Sequence, residues 1–336
     1  MSDTQHTLIV SVNWIGDAVM AMPAVQAYRA KHPDDRISVL AKPGIAPLWR
    51  IHPSVDDTLM FESGLRGTID TIQRLRKAPS LQCAYIMPHS FRSALIPFLA
   101  QLPQRVGLPG DLRRIFMHEV VHPKMSDERR HQQFEYMDLL VPSWPSDTPP
   151  PSPILKIPDD VQQDMNTRLS DKSTIRVGLV PGAARGPSKQ WPADHFIALG
   201  QRLVGELETD IVVAGAAGER VLCEQVAGSI GAKASSWAGR TNLYEWLALL
   251  AACDVVVAND SGAMHIATAL GRPVVALYGI TDPATTGPLG DKAIVLQHSK
   301  KRHRDVPRDS VEAREALAAI TPEEVYEAVR QAAGKG

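Results

Sequence analysis

A proline-rich segment divides this chain into two long stretches that share one pattern. Residues 142–153 contain six prolines, and proline can continue neither a helix nor a central strand. On both sides of this segment, short apolar runs alternate with helical patterns, which is typical of βαβ units and a parallel sheet. We therefore predict an α/β protein with two doubly wound domains, joined by a semi-rigid hinge and facing a central cleft.

The pattern also predicts the individual elements and the domain limits. The predicted strands are residues 8–12, 37–40, 58–61, 84–87, 177–180, 211–214, 255–258, 274–278 and 294–296. The predicted helices are residues 23–31, 65–77, 91–102, 127–140, 192–204, 219–227, 243–251 and 262–270. The first domain covers residues 1–158, with the linker at about 142–158, and the second covers residues 159–320. A last helix in residues 321–336 has a capping box and Pro322 in its first turn, and we expect it to pack back on the first domain.

Composition limits the class of protein. The chain has 336 residues, which exceeds the usual size of one hydrophobic core. A formal net charge of -1 argues against wholesale nucleic-acid binding. No apolar run approaches the ~20 residues that span a bilayer, and the N-terminus has no signal-peptide pattern, so we expect a cytoplasmic protein. Cys83, Cys223 and Cys253 lie far apart, which predicts buried thiols and neither a disulfide nor a metal site.

Residues 254–283 contain the most informative local pattern. An apolar run stops at Asn259-Asp260-Ser261-Gly262, and the short helical pattern that follows ends at Gly271 and Pro273. Such a turn aims unpaired backbone N–H groups, at the positive end of a helix dipole, into the crevice at the carboxyl end of a strand. This place suits a phosphate. The alternative is an ordinary helix that Asp260 or Ser261 caps.

The loop at residues 12–18 connects the first strand to the first helix. It has one glycine, and residues 215–218 add only two more, so the dinucleotide fingerprint is absent and an oxidoreductase is disfavoured. The loop does offer one carboxylate, Asp17, at the edge of the predicted cleft. Asp17 is either a general base that takes a proton from a hydroxyl nucleophile or an acid that the helix dipole favours.

The loop at residues 180–192 combines small residues with positive charge. Small residues let a ligand approach the backbone, while Arg185 and Lys189 place cations beside it. The glycine spacing and the ending differ from those of a Walker P-loop. The loop therefore either clamps a diphosphate, whose charge Lys189 neutralises, or is a solvated basic turn.

Asp260 is difficult to reconcile with a phosphate site, because a carboxylate should not face a phosphate. It must cap backbone amides, pair with a cation or accept hydrogen bonds from sugar hydroxyls. His265, one turn further, could donate to a phosphate oxygen, although a lone helical histidine is more often simply packed. Glu219 and Thr241 occupy the same strand-end rim, where they either hold a ribose or base or merely begin helices.

Basic residues also cluster near strand ends in the first domain. Several of them lie in or beside a loop-like stretch at residues 105–114. They predict either a cationic acceptor pocket or a solvated surface. The candidates are Lys42, Arg92, Arg105, Arg113 and Arg114.

Taken together, the three loops resemble the ADP-heptose:lipopolysaccharide heptosyltransferase family, particularly its heptosyltransferase II branch. The matching stretches begin with Trp14-Ile-Gly-Asp17, Pro181-Gly-Ala-Ala and Asn259-Asp-Ser-Gly. Residues 90–97 and 278–283 also look like family segments. The stretches occur in the family's order through most of the chain, and this ordered set is far more specific than any one motif.

The resemblance implies a GT-B architecture, with two Rossmann-like domains that bind the acceptor in the first and the nucleotide sugar in the second. It implies transfer of heptose from ADP-L-glycero-D-manno-heptose to a heptose or Kdo residue of the lipopolysaccharide inner core, with inversion. No cofactor or obligatory metal is implied. The implied partners are the ADP-heptose donor, a lipid A-Kdo-heptose acceptor and the cytoplasmic face of the inner membrane, contacted peripherally.

The resemblance also assigns residues. Asp17 matches the proposed general base, and Lys189 matches the lysine beside the diphosphate, so both are predicted to be catalytic. The remaining matches predict donor contacts at Ser188, Glu219, Thr241, Asp260, Ser261, Gly262 and His265.

One segment departs from the family pattern. Many relatives carry a cysteine-bearing segment after the last strand, whereas the basic residues 299–308 contain no cysteine. This difference leaves the acceptor open, since such a patch could meet phosphorylated core sugars or anionic lipid. Two other functions also stay open: a two-lobed sugar-nucleotide epimerase, and a nucleotide-binding module in which Asp17 is only structural.

Overall fold

The computed structural model describes residues 5–78, 80–110, 112–124, 130–169, 174–303 and 306–334. The chain forms two compact units, Met1–Lys156 and Ile157–Gly336. The division falls close to the predicted boundary at residue 158. It follows the proline-rich segment, whose restricted backbone separates the two cores.

The first unit is built on a six-stranded sheet in the order β3-β2-β1-β4-β5-β6. Every neighbouring pair is parallel. Its elements are β1 (His6–Val10), α1 (Ile15–Lys31), β2 (Arg36–Ala41), α2 (Ala46–Arg50), β3 (Asp57–Met60), α3 (Gly64–Arg76), β4 (Leu81–Ile86), α4 (Phe91–Leu99), β5 (Gln104–Gly107), β6 (Glu119–Val120) and α5 (Gln133–Leu140).

The second unit repeats this plan in the order β12-β11-β10-β7-β8-β9, again with parallel pairs throughout. Both orders are those of the doubly wound Rossmann fold. The elements are α6 (Asp159–Arg168), β7 (Arg176–Val180), α7 (Ala193–Leu207), β8 (Asp210–Val213), α8 (Arg220–Ile230), β9 (Ala234–Ser236), α9 (Leu243–Ala251), β10 (Val255–Asn259), α10 (Gly262–Ala269), β11 (Val274–Leu277), α11 (Pro283–Thr286), β12 (Ala293–Leu296), α12 (Val311–Ala318) and α13 (Pro322–Ala332).

The predicted strands all occur, each within a few residues of its predicted bounds. Strands β5, β6 and β9 and helices α2, α6, α11 and α12 were not predicted, because two to ten residues carry too little periodicity. The prediction that α1 begins at Pro23 was wrong, since the helix starts at Ile15 and contains Pro23. Residues 18–25 are all buried, and this packing outweighs the helical hydrogen bond that proline removes. The predicted start of α5 was too early, because residues 130–132 are not helical and the helix begins at Gln133; residues 127–129 lie outside the described residues.

The last helix belongs to the second unit. The apolar face of α13, with Val325, Tyr326 and Val329, packs into the core beside Val275 and Leu277. The sequence had suggested the first domain for this helix, and the structure corrects that assignment. An amphipathic helix must cover apolar surface, and the sheet of its own unit offers it within a few residues of chain.

Candidate functional site

Each sheet has one point at which its winding direction reverses. In the first sheet it lies between β1 and β4, and in the second between β7 and β10. Ligands of open α/β sheets bind outside the carboxyl ends of the strands at such a point. Three predicted residues follow these strands: Asp17 after β1, Lys189 after β7 and Asp260 after β10. The topology therefore places one candidate site on each unit.

In the second unit, Asn259 fastens both ends of the loop between β7 and α7. Its buried side-chain oxygen accepts a hydrogen bond from the backbone N–H of Trp191 at 2.9 Å. Its amide nitrogen donates to the carbonyl of Pro181 at 2.8 Å. Sequence reasoning gave Asn259 no role, although an amide at the end of an apolar run must find partners once it is buried.

Lys189 and Asp260 form a buried ion pair on this framework. The Lys189 ammonium donates to a carboxylate oxygen of Asp260 at 2.5 Å, and both side chains are about nine-tenths buried. Pairing with a cation was one of the three predicted ways in which Asp260 could avoid repelling a phosphate. An ammonium has three donors, so the pair holds Lys189 in place and leaves donor capacity for an anion.

Tyr278 lies close to the Asp260 carboxylate. Its hydroxyl donates to the carbonyl of Thr286 at 2.8 Å. Burial, followed by the nearby charge of Asp260, raises the pKa of Tyr278 well above its ordinary value. The hydroxyl therefore stays protonated and remains a donor beside the carboxylate.

The turn after β10 presents an uncapped helix start. Ser261 occupies the N-cap position of α10 with extended backbone, and its side chain makes no capping hydrogen bond. The Asp260 carboxylate faces Lys189 and Ser261 makes no capping hydrogen bond. The structure therefore does not have the alternative, a helix capped by one of these side chains. Backbone N–H groups from Gly262 onward therefore point outward at the positive end of the dipole. His265 is buried one turn further.

Glu219 lies at the rim, against the start of the same loop. Its carboxylate accepts a hydrogen bond from the backbone of Ala216 at 2.8 Å. A Cβ atom added at Gly182 would lie 2.0 Å from its Oε1 atom, so the close approach requires glycine. Thr241 is half-buried in the loop before α9. Within the described part of the chain its side chain makes no hydrogen bond to this group.

The basic segment after β12 reaches the same loop. Ser188 donates its backbone N–H to the carbonyl of Arg308 at 3.2 Å, and the Arg308 side chain covers Gly186, which has φ +95°. The Ser188 hydroxyl is buried and has no hydrogen-bond partner among the described residues. A buried hydroxyl of this kind can be satisfied by a ligand oxygen. Residues 304–305 of the segment lie outside the described residues.

In the first unit, the carboxyl ends of β1, β2 and β4 enclose a cleft. Asp17 is half-buried in the first turn of α1, which follows β1. The indole of Trp49 donates to the Ser11 hydroxyl at 2.7 Å and holds the end of β1 against α2. The cleft is lined by polar and apolar groups that include Ser11, Asn13, Lys42, Phe61, Ser90 and Arg92.

Two of the five predicted acceptor cations, Lys42 and Arg92, line this cleft. Arg114 is exposed on a short turn beyond it. Arg105 belongs to β5, and its guanidinium donates to the Phe116 carbonyl at 2.6 Å. Arg113 is fully buried and donates to the carbonyl of Pro88.

The environments of Arg105 and Arg113 change the predicted pocket. Burial lowers the pKa of Arg113 to about 10. Cβ atoms at Gly107 and Gly110 would lie 2.9 and 2.7 Å from its side chain, so the two glycines make room for it. Both arginines thus stabilise backbone carbonyls of the first unit, and the charge that faces the cleft comes from Lys42 and Arg92.

Among the described residues, no group of three or more His, Cys, Asp or Glu side chains could hold a metal ion. In the same part of the chain, no helix is both long and apolar enough to cross a bilayer. Cys223 and Cys253 are buried thiols, whereas Cys83 is half-buried.

The chain is similar to known proteins over nearly its whole length. The model of glycosyltransferase family 9 (heptosyltransferase) matches residues 71–314. Lipopolysaccharide heptosyltransferase 2 of Salmonella typhimurium is 32% identical over 95% of this chain and 96% of that protein. Lipooligosaccharide heptosyltransferase 2 of Haemophilus influenzae is 30% identical over 98% of this chain and 100% of that protein.

Solved structures agree with these relatives. The structure of ADP-heptose lps heptosyltransferase II of E. coli superposes with a TM-score of 0.85 at 28% identity, covering 98% of this chain and 99% of that one. The match confirms the predicted two-domain α/β fold of the GT-B class. It also agrees with the sequence in making the protein an enzyme that transfers a glycosyl group. The chain belongs to glycosyltransferase family 9, the heptosyltransferases.

Proposed function

We propose that this enzyme transfers heptose from ADP-L-glycero-D-manno-heptose to a heptose or Kdo residue of the lipopolysaccharide inner core. Relatives that span nearly the whole chain carry the name heptosyltransferase 2. The observation that carries the proposal is the Lys189–Asp260 pair at the switch point of the second sheet, beside the uncapped start of α10. Together they make an anion site that suits a nucleoside diphosphate.

The donor site stabilises the leaving group. As the bond to the sugar breaks, negative charge grows on the ADP phosphate. Lys189, the N–H groups from Gly262 onward and His265 are placed to offset that charge without a metal ion. The unsatisfied Ser188 hydroxyl adds one more donor. In this proposal, Glu219 and Thr241 accept hydrogen bonds from ribose hydroxyls and so hold the nucleoside end of the donor.

Asp17 acts as the general base. A sugar hydroxyl is a poor nucleophile, and a positioned carboxylate that takes its proton typically contributes ~10²–10⁴-fold to the rate. Attack by the acceptor oxygen in line with the departing ADP is a single displacement, so the anomeric configuration inverts. The proton passes from the acceptor hydroxyl to Asp17, and ADP leaves with the bonding electrons.

The first unit binds the acceptor. Lys42 and Arg92 line its cleft and suit the carboxylate or phosphate groups of an anionic core sugar. Arg114 is exposed on the same unit and adds positive charge for the approaching acceptor. An acceptor of this kind is carried by lipid A, so we place the reaction in the cytoplasm, at the inner face of the inner membrane.

A transfer assay tests the function directly. The enzyme is incubated with ADP-heptose and a heptose-deficient lipopolysaccharide core, and the product is weighed by mass spectrometry. A gain of one heptose is expected. Conversion of the nucleotide sugar without acceptor would instead indicate an epimerase, and ADP binding with no transfer to any truncated core would indicate a binding module.

The Asp17→Asn variant tests the role of the base. We expect transfer to fall by about 10²–10⁴-fold, while ADP affinity, measured by calorimetry, stays unchanged because the donor site is built by the second unit. Asp34→Asn, which changes an exposed aspartate of the first unit, serves as the matched control. Near-normal turnover of Asp17→Asn would exclude Asp17 as the base.

A further inference from the structure

Exposed large apolar side chains are concentrated in one part of the first unit. Of the thirteen found among the described residues, eight lie between Met60 and Ile115. Among these eight, Leu112, Leu65 and Ile115 are the most exposed, at 83%, 80% and 76%. Contiguous apolar surface on a soluble protein usually marks a place of interaction.

Two helix starts bring part of this surface together. Leu65 lies at the start of α3, after β3, and Phe91 opens α4, after β4, so both stand at the carboxyl edge of the first sheet. Arg92 joins the two helices, because its guanidinium donates to the Gly64 carbonyl at 3.1 Å. The same group donates to the Thr68 hydroxyl at 2.5 Å.

The segment before β6 continues the surface. The ring of Phe116 packs edge-on against Phe91, with centroids 5.0 Å apart, and the exposed Ile115 precedes Phe116 in the chain. Leu112 has φ +53°, a left-handed backbone conformation that is unfavourable for a branched residue. Packing inside the unit does not explain this conformation, because the side chain is exposed. We name the set Leu65, Phe91, Leu112 and Ile115 the apolar edge.

The apolar edge lies in a basic part of an otherwise nearly neutral chain. Residues 61–116 contain eight Lys or Arg and three Asp or Glu, and without the fully buried Arg113 their formal charge is +4, whereas the whole chain has -1. Arg66 and Arg114 are exposed beside Leu65 and Ile115 in the sequence. Apolar side chains flanked by arginines suit the interface of an anionic bilayer, where the apolar groups enter and the cations meet phosphates.

We propose that the apolar edge docks the enzyme on an anionic lipid surface. Its four side chains enter the headgroup region, while Arg66 and Arg114 pair with lipid phosphates. Arg92, which joins the two helices of the apolar edge, lines the cleft of the first unit, so docking brings that cleft to the membrane. The inference rests on the proposed function in one respect, namely that the acceptor is carried by a lipid.

Vesicle binding tests the docking surface without any sugar substrate. The full chain is sedimented with vesicles of phosphatidylcholine mixed with phosphatidylglycerol, and with vesicles of phosphatidylcholine alone. We expect binding only to the mixed vesicles. The triple variant Leu65→Gln, Leu112→Gln, Ile115→Gln should bind at least about tenfold more weakly, since each residue loses apolar burial. These side chains are exposed, so an unchanged melting curve will show that the variant folds.

A matched control comes from the second unit. Val221 and Val311 are also exposed, and the double variant Val221→Gln, Val311→Gln should bind the mixed vesicles as the parent protein does. Equal binding by the triple variant and the parent would overturn the proposal. So would a parent protein that ignores vesicles but dimerises in light scattering through the apolar edge, because the partner would then be a second copy of the chain.

Transfer assays separate this inference from the proposed function. With a water-soluble, lipid-free core acceptor, the triple variant should keep the parent rate. With the acceptor embedded in vesicles, its rate should fall about as far as its binding. Vesicle binding that depends on the apolar edge, in an enzyme that transfers no heptose to either acceptor, would count against the function alone.

Discussion

The two sheets have the same strand order, but the side chains at their carboxyl edges differ in burial and in pairing. In the second unit, the Lys189–Asp260 ion pair and the amide of Asn259, which bonds in two directions, are buried and paired at the edge. In the first unit, the edge carries exposed cations such as Lys42 and exposed apolar side chains such as Leu65. A preset polar site suits a small ligand of fixed charge, whereas an open one suits a large acceptor at a membrane.

The strongest test of this contrast is Lys189→Met. We expect transfer to fall about 10²–10³-fold, because a preorganised cation no longer meets the leaving phosphate. The change also leaves the Asp260 carboxylate buried without its partner, so the free energy of unfolding of the second unit should fall by about 3 kcal/mol. Steady-state kinetics and chemical denaturation measure the two effects.

A second substitution separates stability from catalysis at this pair. Adding Asp260→Asn to Lys189→Met removes the unpaired charge, and the double variant should recover most of the lost unfolding free energy but none of the transfer rate. If the double variant were as unstable as Lys189→Met, or if Lys189→Met kept full stability, the buried ion pair would not be a preorganised part of the second unit.

In the first unit, a buried histidine makes the stability depend on pH. Burial lowers the pKa of His52 to about 4 from an ordinary 6.5. Below about pH 6.5 the unfolded chain takes up a proton that the folded chain does not, so stability present above that pH is lost as the pH falls toward 4. The loss reaches roughly 3 kcal/mol.

Thermal melts of the chain between pH 7 and pH 4 measure this loss. His52→Asn keeps an acceptor for the backbone N–H of Ser54, which His52 now receives at 3.2 Å, and should flatten the slope. His122→Asn, at an exposed position, should leave the slope as it is. A parent slope that survives in His52→Asn would assign the acid sensitivity to other groups.

The smallest expected effect lies in the acceptor cleft. Arg92 is exposed and lines the cleft of the first unit, so under the proposed function Arg92→Ala should raise the KM for a lipid-free acceptor by about tenfold, as expected for one lost charged hydrogen bond. The KM for ADP-heptose should not change. Arg50→Ala, at another exposed arginine of the first unit, is the control, and equal effects of the two substitutions would remove Arg92 from the acceptor site.

Most of the fold could be predicted from the sequence, because long buried strands leave an apolar pattern that repeats between helices. Strand β10, for example, is buried at every position, and its first four residues form one continuous apolar run. The very short strands β6 and β9 have two and three residues and leave no such pattern. Helix α1 was predicted too short because proline usually opens a helix, whereas tertiary packing keeps Pro23 inside this one.

The sequence could predict which residue types and which loops form the candidate site, but not what each side chain contacts or how deeply it is buried. Lys189 and Asp260 are 71 positions apart, and only the sheet order shows that they pair. From the sequence alone, the buried Arg113 could not be distinguished from the exposed Arg114, because a sequence shows charge but not burial. The signal that separates them is the pair of glycines that give Arg113 its space, and it can be interpreted only in three dimensions.

The contact between Gly182 and Glu219 has a consequence for engineering. The carboxylate fills the volume in which any other residue at position 182 would place its first side-chain atom. A residue larger than glycine at position 182 therefore displaces the Glu219 carboxylate from the Ala216 backbone N–H that donates to it. Substitutions at Gly182 have to be combined with a smaller residue at position 219.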